Sequence, residues 1–420
     1  MFLIKGGKIP GRSPEVSDIL IEGGRIVEIG ENIAETGEME VVNAMGLVVA
    51  PGLVDMHVHF RDPGFEYKED ILSGAEAAAA GGVTTCCCMA NTSPVADCMD
   101  VVRHIVDKAK QAPVRVLPYG AVTRAQKGEE LTDFVALKVV GAVALSDDGN
   151  SIQSSALMRR AMRLAHDYGL LIVTHSEDAE LARNYAVNDG LVSKQLGIQG
   201  RPSIAEDIMV ARDAMLAAEV GARIHIAHVS TAGAVNIIRR AKAAGASITA
   251  ETCPQYFTLT ESEVLRQGAF ARVNPPLRTA HDVEAVIGGL EDGTIDVIAS
   301  DHAPHTVEEK IAPLADAPSG IAGLETSLAL ALTNLYHTGK LGINEIVALM
   351  SDNPASILGI NAGKLEPGGA ADIVIFDPDE EWTVDPDTMK SKARNTPFAG
   401  TKLRGKVKCT ICRGEIVYRD

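Results

Sequence analysis

Between Leu53 and about Asp301 the 420-residue chain alternates eight short apolar runs with longer stretches of helical periodicity, and this alternation restricts the fold more than any other feature. The runs are LVDMHVHF from Leu53, VTTCCCM from Val83, RVLPYG from Arg115, AVALSDD from Ala142, LLIVTHS from Leu170, RIHIAHVS from Arg223, SITAETC from Ser247 and DVIAS from Asp296. Segments such as Ser154 to Gly169 lie between them, with apolar residues at three- and four-residue intervals. Glycines at positions 81, 141, 169, 221 and 245 stand where helices should stop before the next strand. Eight β/α units over about 250 to 300 residues predict a (β/α)8 TIM barrel. A doubly wound open sheet is the alternative, but no glycine-rich phosphate loop follows the first strand.

The flanks read differently. Residues 1–50 and 362–420 carry short alternating strands with glycine turns, and neither flank is long enough to bury a good core alone. They are expected to pair into one small β-sandwich domain built from both ends of the chain, beside a barrel domain at 51–361. Acidic side chains exceed basic ones, 56 to 39, giving a formal charge of −17, which disfavours nucleic acid and anionic membrane as partners. An anionic substrate therefore needs a local patch of positive charge. The N-terminal MFLIKGGKIPG lacks the apolar core of a signal peptide, no run is long enough to span a membrane, and a cytoplasmic location is expected. Seven cysteines, three of them consecutive at Cys86, Cys87 and Cys88, read as reduced and buried thiols. The lone CxxC at Cys409 and Cys412 lies in a strand-like segment and reads as core.

In a barrel the chemistry sits at the C-terminal ends of the strands. The first strand ends in His57 and His59, two apart and so on one face; the fourth ends in Asp147 and Asp148, the fifth in His175, the sixth in His228 and the eighth in Asp301. Four imidazoles and at least two carboxylates on one rim suit Zn²⁺, and the count fits two ions bridged by a carboxylate. His104, His166, His225, His281 and His337 read as hydrogen-bonded core or surface residues. Arg61, two positions beyond His59, offers a guanidinium fork for a substrate carboxylate.

HVHFRDPG from His57, EYKEDI, MANTSPV from Met89, NPPLR from Asn274, SDHAPH from Ser300, EEKIAPLADAP and GLET together resemble the dihydroorotases of the cyclic amidohydrolase superfamily, over essentially the whole chain. The resemblance implies reversible cyclisation of N-carbamoyl-L-aspartate to (S)-dihydroorotate in pyrimidine biosynthesis, with two zinc ions per subunit. It implies that His57 and His59 bind one ion and His175 and His228 the other, that Asp148 bridges, and that Asp301 touches metal and moves the proton. Arg61, Asn91, Asn274 and His305 would bind the small anionic substrate. It also implies a homodimer, and association with aspartate transcarbamoylase as in some bacterial relatives. Many superfamily members bridge their metals with a carboxylated lysine where this strand has SDDG; the nearest lysine, Lys138, falls near the end of the preceding helix, on the opposite face. Asp147 is left as an outer hydrogen-bond acceptor. Strand seven, ETCPQYFTLT, is closer to hydantoinases, and MANT replaces the commoner MPNT. A hydantoinase or allantoinase, or a non-catalytic amidohydrolase-like assembly protein, are the alternatives. The long segment after strand eight, EEKIAPLADAPSG, is expected to floor or cover the pocket.

Overall fold

The computed structural model describes residues 1–37 and 39–420. The N-terminal flank forms β1 (Phe2–Lys8), β2 (Val16–Glu22), β3 (Arg25–Gly30), β4 (Glu40–Asn43) and β5 (Val48–Pro51). Each of the eight predicted runs then carries a strand: β6 (Leu53–Val58), β7 (Val83–Cys88), β8 (Arg115–Gly120), β9 (Ala144–Ser146), β10 (Ile172–Thr174), β11 (Ile224–Ile226), β12 (Ile248–Thr252) and β13 (Val297–Ile298). They follow one another in sheet order, all parallel, and the ring closes where Val58 bridges His302 and the His59 amide donates to the His302 carbonyl at 2.8 Å. The fold is the expected TIM barrel, with shorter strands than the apolar runs suggest.

Local sequence accounts for the crossovers. The helix Ser155–Asp167 starts where the Ser154 hydroxyl accepts from the Leu157 amide at 3.3 Å. It ends before Gly169, whose φ of 62° only glycine adopts without strain. Along β7 the consecutive cysteines alternate, Cys86 and Cys88 packing outward against the helices and Cys87 inward with Met56, Tyr119 and Val173. The Tyr119 hydroxyl donates to the Met56 carbonyl at 2.9 Å inside the barrel.

Both flanks meet in a second, eight-stranded sheet. After β14 (Ile373–Thr383), β15 (Lys402–Cys412) and β16 (Glu415–Arg419), its order is β16-β15-β14-β5-β1-β2-β3, with β4 on β1. The joint between the two ends of the chain is the antiparallel pairing of Val48–Pro51 with Ile373–Phe376. The central strands are buried on both faces. Val49, Ile373, Ile375, Cys409 and Ile411 join the terminal sheet's own core, while Val48, Ala50, Val374, Phe376 and Cys412 pack on the barrel. Cys409 and Cys412 thus face opposite cores, which fits the packing role read from the sequence. No helix among the described residues is long and apolar enough to cross a membrane.

The C-terminal segment also braces the barrel mouth. Asn395, fully buried, accepts from the His305 amide at 3.1 Å and donates to the carbonyls of Ala303 and Gly320 at 3.2 and 3.0 Å. Replacing it by alanine orphans these buried groups, each costing about 1–3 kcal/mol. Asn395→Ala should therefore cost roughly 2 kcal/mol or more of stability and so lower the thermal unfolding midpoint; an unchanged midpoint would remove the brace from the account.

Candidate active site

The strand ends bring the predicted residues together. Every residue assigned to metal or substrate from the sequence except His57 lines one cavity of about 180 Å³, and His57 is fully buried. A bulge helps to aim His57: Asp55 and Val58 on β6 pair with Cys86 and Cys88 on β7, so one residue is extra on β6. Asp55, buried, accepts from the His57 amide at 3.1 Å and the Ser300 amide at 3.1 Å, tying the first strand's end to the eighth's.

Asp148 sits between two histidine pairs. Its Oδ2 lies 3.6 Å from His57 Nε2 and 3.5 Å from His59 Nε2, and its Oδ1 lies 3.5 Å from His175 Nδ1 and 3.2 Å from His228 Nε2. Asp301 Oδ1 completes the first pair, 3.2 Å from His59 Nε2 and 3.5 Å from His57 Nε2. The ligand atoms of His57, Asp148 and His228, and those of His57, His59 and Asp301, gather within 4.8 Å of one another. The donors fit a metal on an independent ground: His57 Nε2 is buried without a hydrogen-bond partner while its Nδ1 is engaged by Glu251 at 2.5 Å. Asp147 is turned away, its Oδ1 accepting from the amides of Val122 and Thr123 at 2.8 and 3.0 Å.

The electrostatics ask for positive charge here. Burial opposes ionisation of Asp148, yet His57 and hydrogen bonds from His175 and His228 hold its carboxyl well below the usual range. Burial likewise disfavours a charged His175, but Asp148 and Glu177 overrule it and push it up to about 10.

One wall of the cavity is cationic. The Arg61 Nε donates to the Pro304 carbonyl at 3.3 Å, and one Nη lies 3.3 Å from His305 Nε2. Burial brings Arg61 down to about 10, so it stays charged near neutrality. His305 is pulled down to about 2 by burial and then by Arg61, Lys68 and Lys310, and is a neutral imidazole. Asn91 engages His59 Nδ1 through its Oδ1 at 3.0 Å, and Asn274 Nδ2 lies 3.3 Å from His175 Nε2. Both asparagines therefore orient histidines while lining the cavity. Of the segment after strand eight, Ser319 and Gly320 reach the cavity; Lys310, buried, pins it by donating to the carbonyls of Arg272, Pro318 and Gly320 at 3.2, 3.0 and 2.9 Å. Backbone strain marks the same place, with left-handed φ at Arg61 (61°), His228 (35°) and Asp301 (47°).

Sequence reasoning missed four supporting residues. Glu177 lies 3.6 Å from His175 Nε2, and Arg201 pairs with Glu177 at 2.7 Å and also bonds Asn274. Lys68 lies 3.3 Å from His305 Nδ1 and pairs with Glu309 at 2.8 Å. Glu251 carried the one available signal, a carboxylate inside a strand of otherwise small and apolar residues. His225, read as a core residue, is buried and bonded to Glu251 and Thr249.

Comparison with known proteins finds relatives along the whole chain. A family described as dihydro-orotase-like matches residues 26–234. The chain is 48% identical to a dihydroorotase of Citrifermentans bemidjiense, covering 100% of this chain and 99% of that one, and 49% identical to a dihydroorotase of Clostridioides difficile, covering both completely. Among solved structures it resembles the L-hydantoinase of Arthrobacter aurescens with a TM-score of 0.88 at 27% identity, over 100% of this chain and 96% of the other.

The position of Lys138 yields a direct test. It is exposed in the last turn of the helix Phe134–Val139, its Nζ donating at 2.7 Å to the carbonyl of Tyr168, which precedes β10 and so lies on the far face of the barrel. Asp148 carries its carboxylate permanently, whereas a lysine carbamate needs dissolved carbon dioxide. Apoprotein reloaded with zinc in carbonate-free buffer should take up as much metal, by elemental analysis, as with bicarbonate. Lys138→Ala should leave that content unchanged and Asp148→Ala should lower it; bicarbonate dependence would overturn the bridging geometry.

Proposed function

Because the chain belongs to the dihydroorotase family, we propose that it catalyses the reversible ring closure of N-carbamoyl-L-aspartate to (S)-dihydroorotate, a cyclic-amide hydrolysis run in either direction within pyrimidine biosynthesis. The observation that carries the substrate assignment is a half-buried, charged guanidinium, Arg61, on the wall of the cavity beside the paired histidines. Dihydroorotate differs from a plain hydantoin in bearing a carboxylate, which a guanidinium can grip with two parallel hydrogen bonds. Asn91, Asn274 and His305 stand on the same cavity to complete that grip.

His57 and His59 on one side and His175 and His228 on the other would hold two zinc ions, with Asp148 shared and Asp301 touching the first. Bound zinc makes water nucleophilic near neutral pH and polarises the ring amide carbonyl. The chain's own groups do the rest. Arg61 fixes the ring by its carboxylate, so that the amide lies over the histidines. Asp301 takes the proton of the attacking water and returns it to the departing ring nitrogen, acting first as general base and then as general acid. The strained backbone at Asp301 keeps its carboxylate at the rim, where both transfers occur. In the synthetic direction the same carboxylate removes the proton from the ureide nitrogen as the C–N bond forms and returns it to the carboxyl oxygen, which leaves as water as the C–O bond breaks.

The hydantoinase-like strand seven and the fold likeness favour a second reading, a hydantoin-opening enzyme. Turnover of dihydroorotate, hydantoin and allantoin, followed by ultraviolet absorbance with and without chelator, separates the two. Dihydroorotate should be opened fastest, and the chelator should abolish the reaction; preference for hydantoin would overturn the substrate assignment.

Two variants test the roles. Asp301→Asn keeps the shape but removes the base, so kcat should fall by about two orders of magnitude or more. Arg61→Lys replaces a fork with a point charge and should cost roughly 1–3 kcal/mol in kcat/KM for dihydroorotate. Hydantoin, lacking the carboxylate, should be affected much less by the arginine change; equal losses on both substrates would detach Arg61 from the carboxylate.

A further inference from the structure

Neither the proton path nor the substrate grip uses Glu251, although its carboxylate is completely buried inside the barrel. Such a group is costly to bury unless hydrogen bonds meet both oxygens. Here Oε1 lies 2.5 Å from His57 Nδ1, and Oε2 lies 3.2 Å from His225 Nε2. The other nitrogen of His225, Nδ1, lies 2.8 Å from the Thr249 hydroxyl.

These contacts fix the protons. An ionised carboxylate only accepts, so both imidazole nitrogens facing Glu251 carry hydrogen. A neutral His225 then has a lone pair at Nδ1, which the Thr249 hydroxyl fills at 2.8 Å in preference to the Ile224 carbonyl 3.4 Å away. A neutral His57 has its lone pair at Nε2, the buried atom without a partner, which lies 3.6 Å from an Asp148 oxygen and 3.5 Å from an Asp301 oxygen. Donation runs one way, from Thr249 to His225 to Glu251, with His57 donating to the same carboxylate from the other side.

We propose that Glu251 is a positioning residue for the metal site: it holds His57 in the Nδ1–H tautomer and strengthens Nε2 as a donor, while His225 and Thr249 keep Glu251 charged and in place. The proposal rests on the reading of His57 as a metal ligand. Carboxylates behind ligating histidines set tautomer and basicity in this way, and losing one typically lowers metal affinity about 10- to 100-fold.

Glu251→Gln tests it in the full-length chain. The amide oxygen still accepts from His57, and the amide nitrogen is accommodated if His225 shifts its proton to Nδ1, toward Thr249. Zinc affinity is measured by competition with a chromophoric chelator, alongside the thermal midpoint of the apoprotein, which a purely packing role would move first. The expected result is a dissociation constant raised about 10- to 100-fold with an apoprotein midpoint unchanged or higher. Parental affinity, or weaker binding accompanied by a lower midpoint, overturns the proposal. Should Glu251→Gln fail to fold, Thr249→Val takes its place: weaker zinc binding at an unchanged midpoint supports the chain of donation, and parental affinity overturns it. His57→Ala separates the two levels. If it binds zinc as tightly as the parent, the metal-ligand reading itself fails; if it binds weakly while Glu251→Gln does not, only the positioning role fails.

Discussion

One buried carboxylate, shared between two pairs of imidazoles, organises this molecule. Asp148 has almost no contact with solvent, and each of its oxygens faces a different histidine pair carried by different strands. A charge so placed is tolerable only if every partner stays within a few ångströms, because breaking a buried pair leaves an uncompensated ion. The barrel provides that constancy: strands four, five and six end side by side, and the Asp148 amide is held by the Ser146 hydroxyl at 3.0 Å. Geometry at the mouth is thus set by hydrogen-bonded ladders below it rather than by the loops above.

The cost of this arrangement shows in the backbone. Arg61, His228 and Asp301 each occupy left-handed conformations that an L-residue enters at roughly 1–2 kcal/mol, and each contributes a side chain to the cavity. Strain of this kind persists only where surrounding contacts over-determine it. The amide beside His59 is locked onto His302, Ser300 is bonded to Asp55, and Asn395 reaches in from the terminal segment to tie down Ala303, His305 and Gly320. The loop between β14 and β15 therefore contributes to the site without lending it a reactive group.

The barrel and the groups on its rim were legible because their information is local. Apolar runs of strand length, a period of two that puts His57 and His59 on one face, and ligand-type residues ending five strands can all be read within a few positions of one another. The supports were not legible for the opposite reason. Arg201 reaches Asn274, Glu251 reaches His57, and Asn395 reaches Gly320 across long stretches of chain, so nothing in the neighbourhood of any one announces its partner. Strand lengths fell short of the apolar runs because residues beyond the ladder turn out of the sheet to reach the mouth, as Asp148 does after Ser146.

The seam between the two ends of the chain has a consequence in time. Ribosomes deliver β5 long before Ile373–Phe376, so throughout synthesis of the barrel one edge of that apolar strand waits unpaired. All six side chains that we propose as metal ligands, the last of them Asp301, are likewise present before Asn395 arrives to secure the wall formed by Ala303, His305 and Gly320. The nascent chain thus carries these six groups before it carries the enclosure around them, a vessel filled with its donors before its side is fastened.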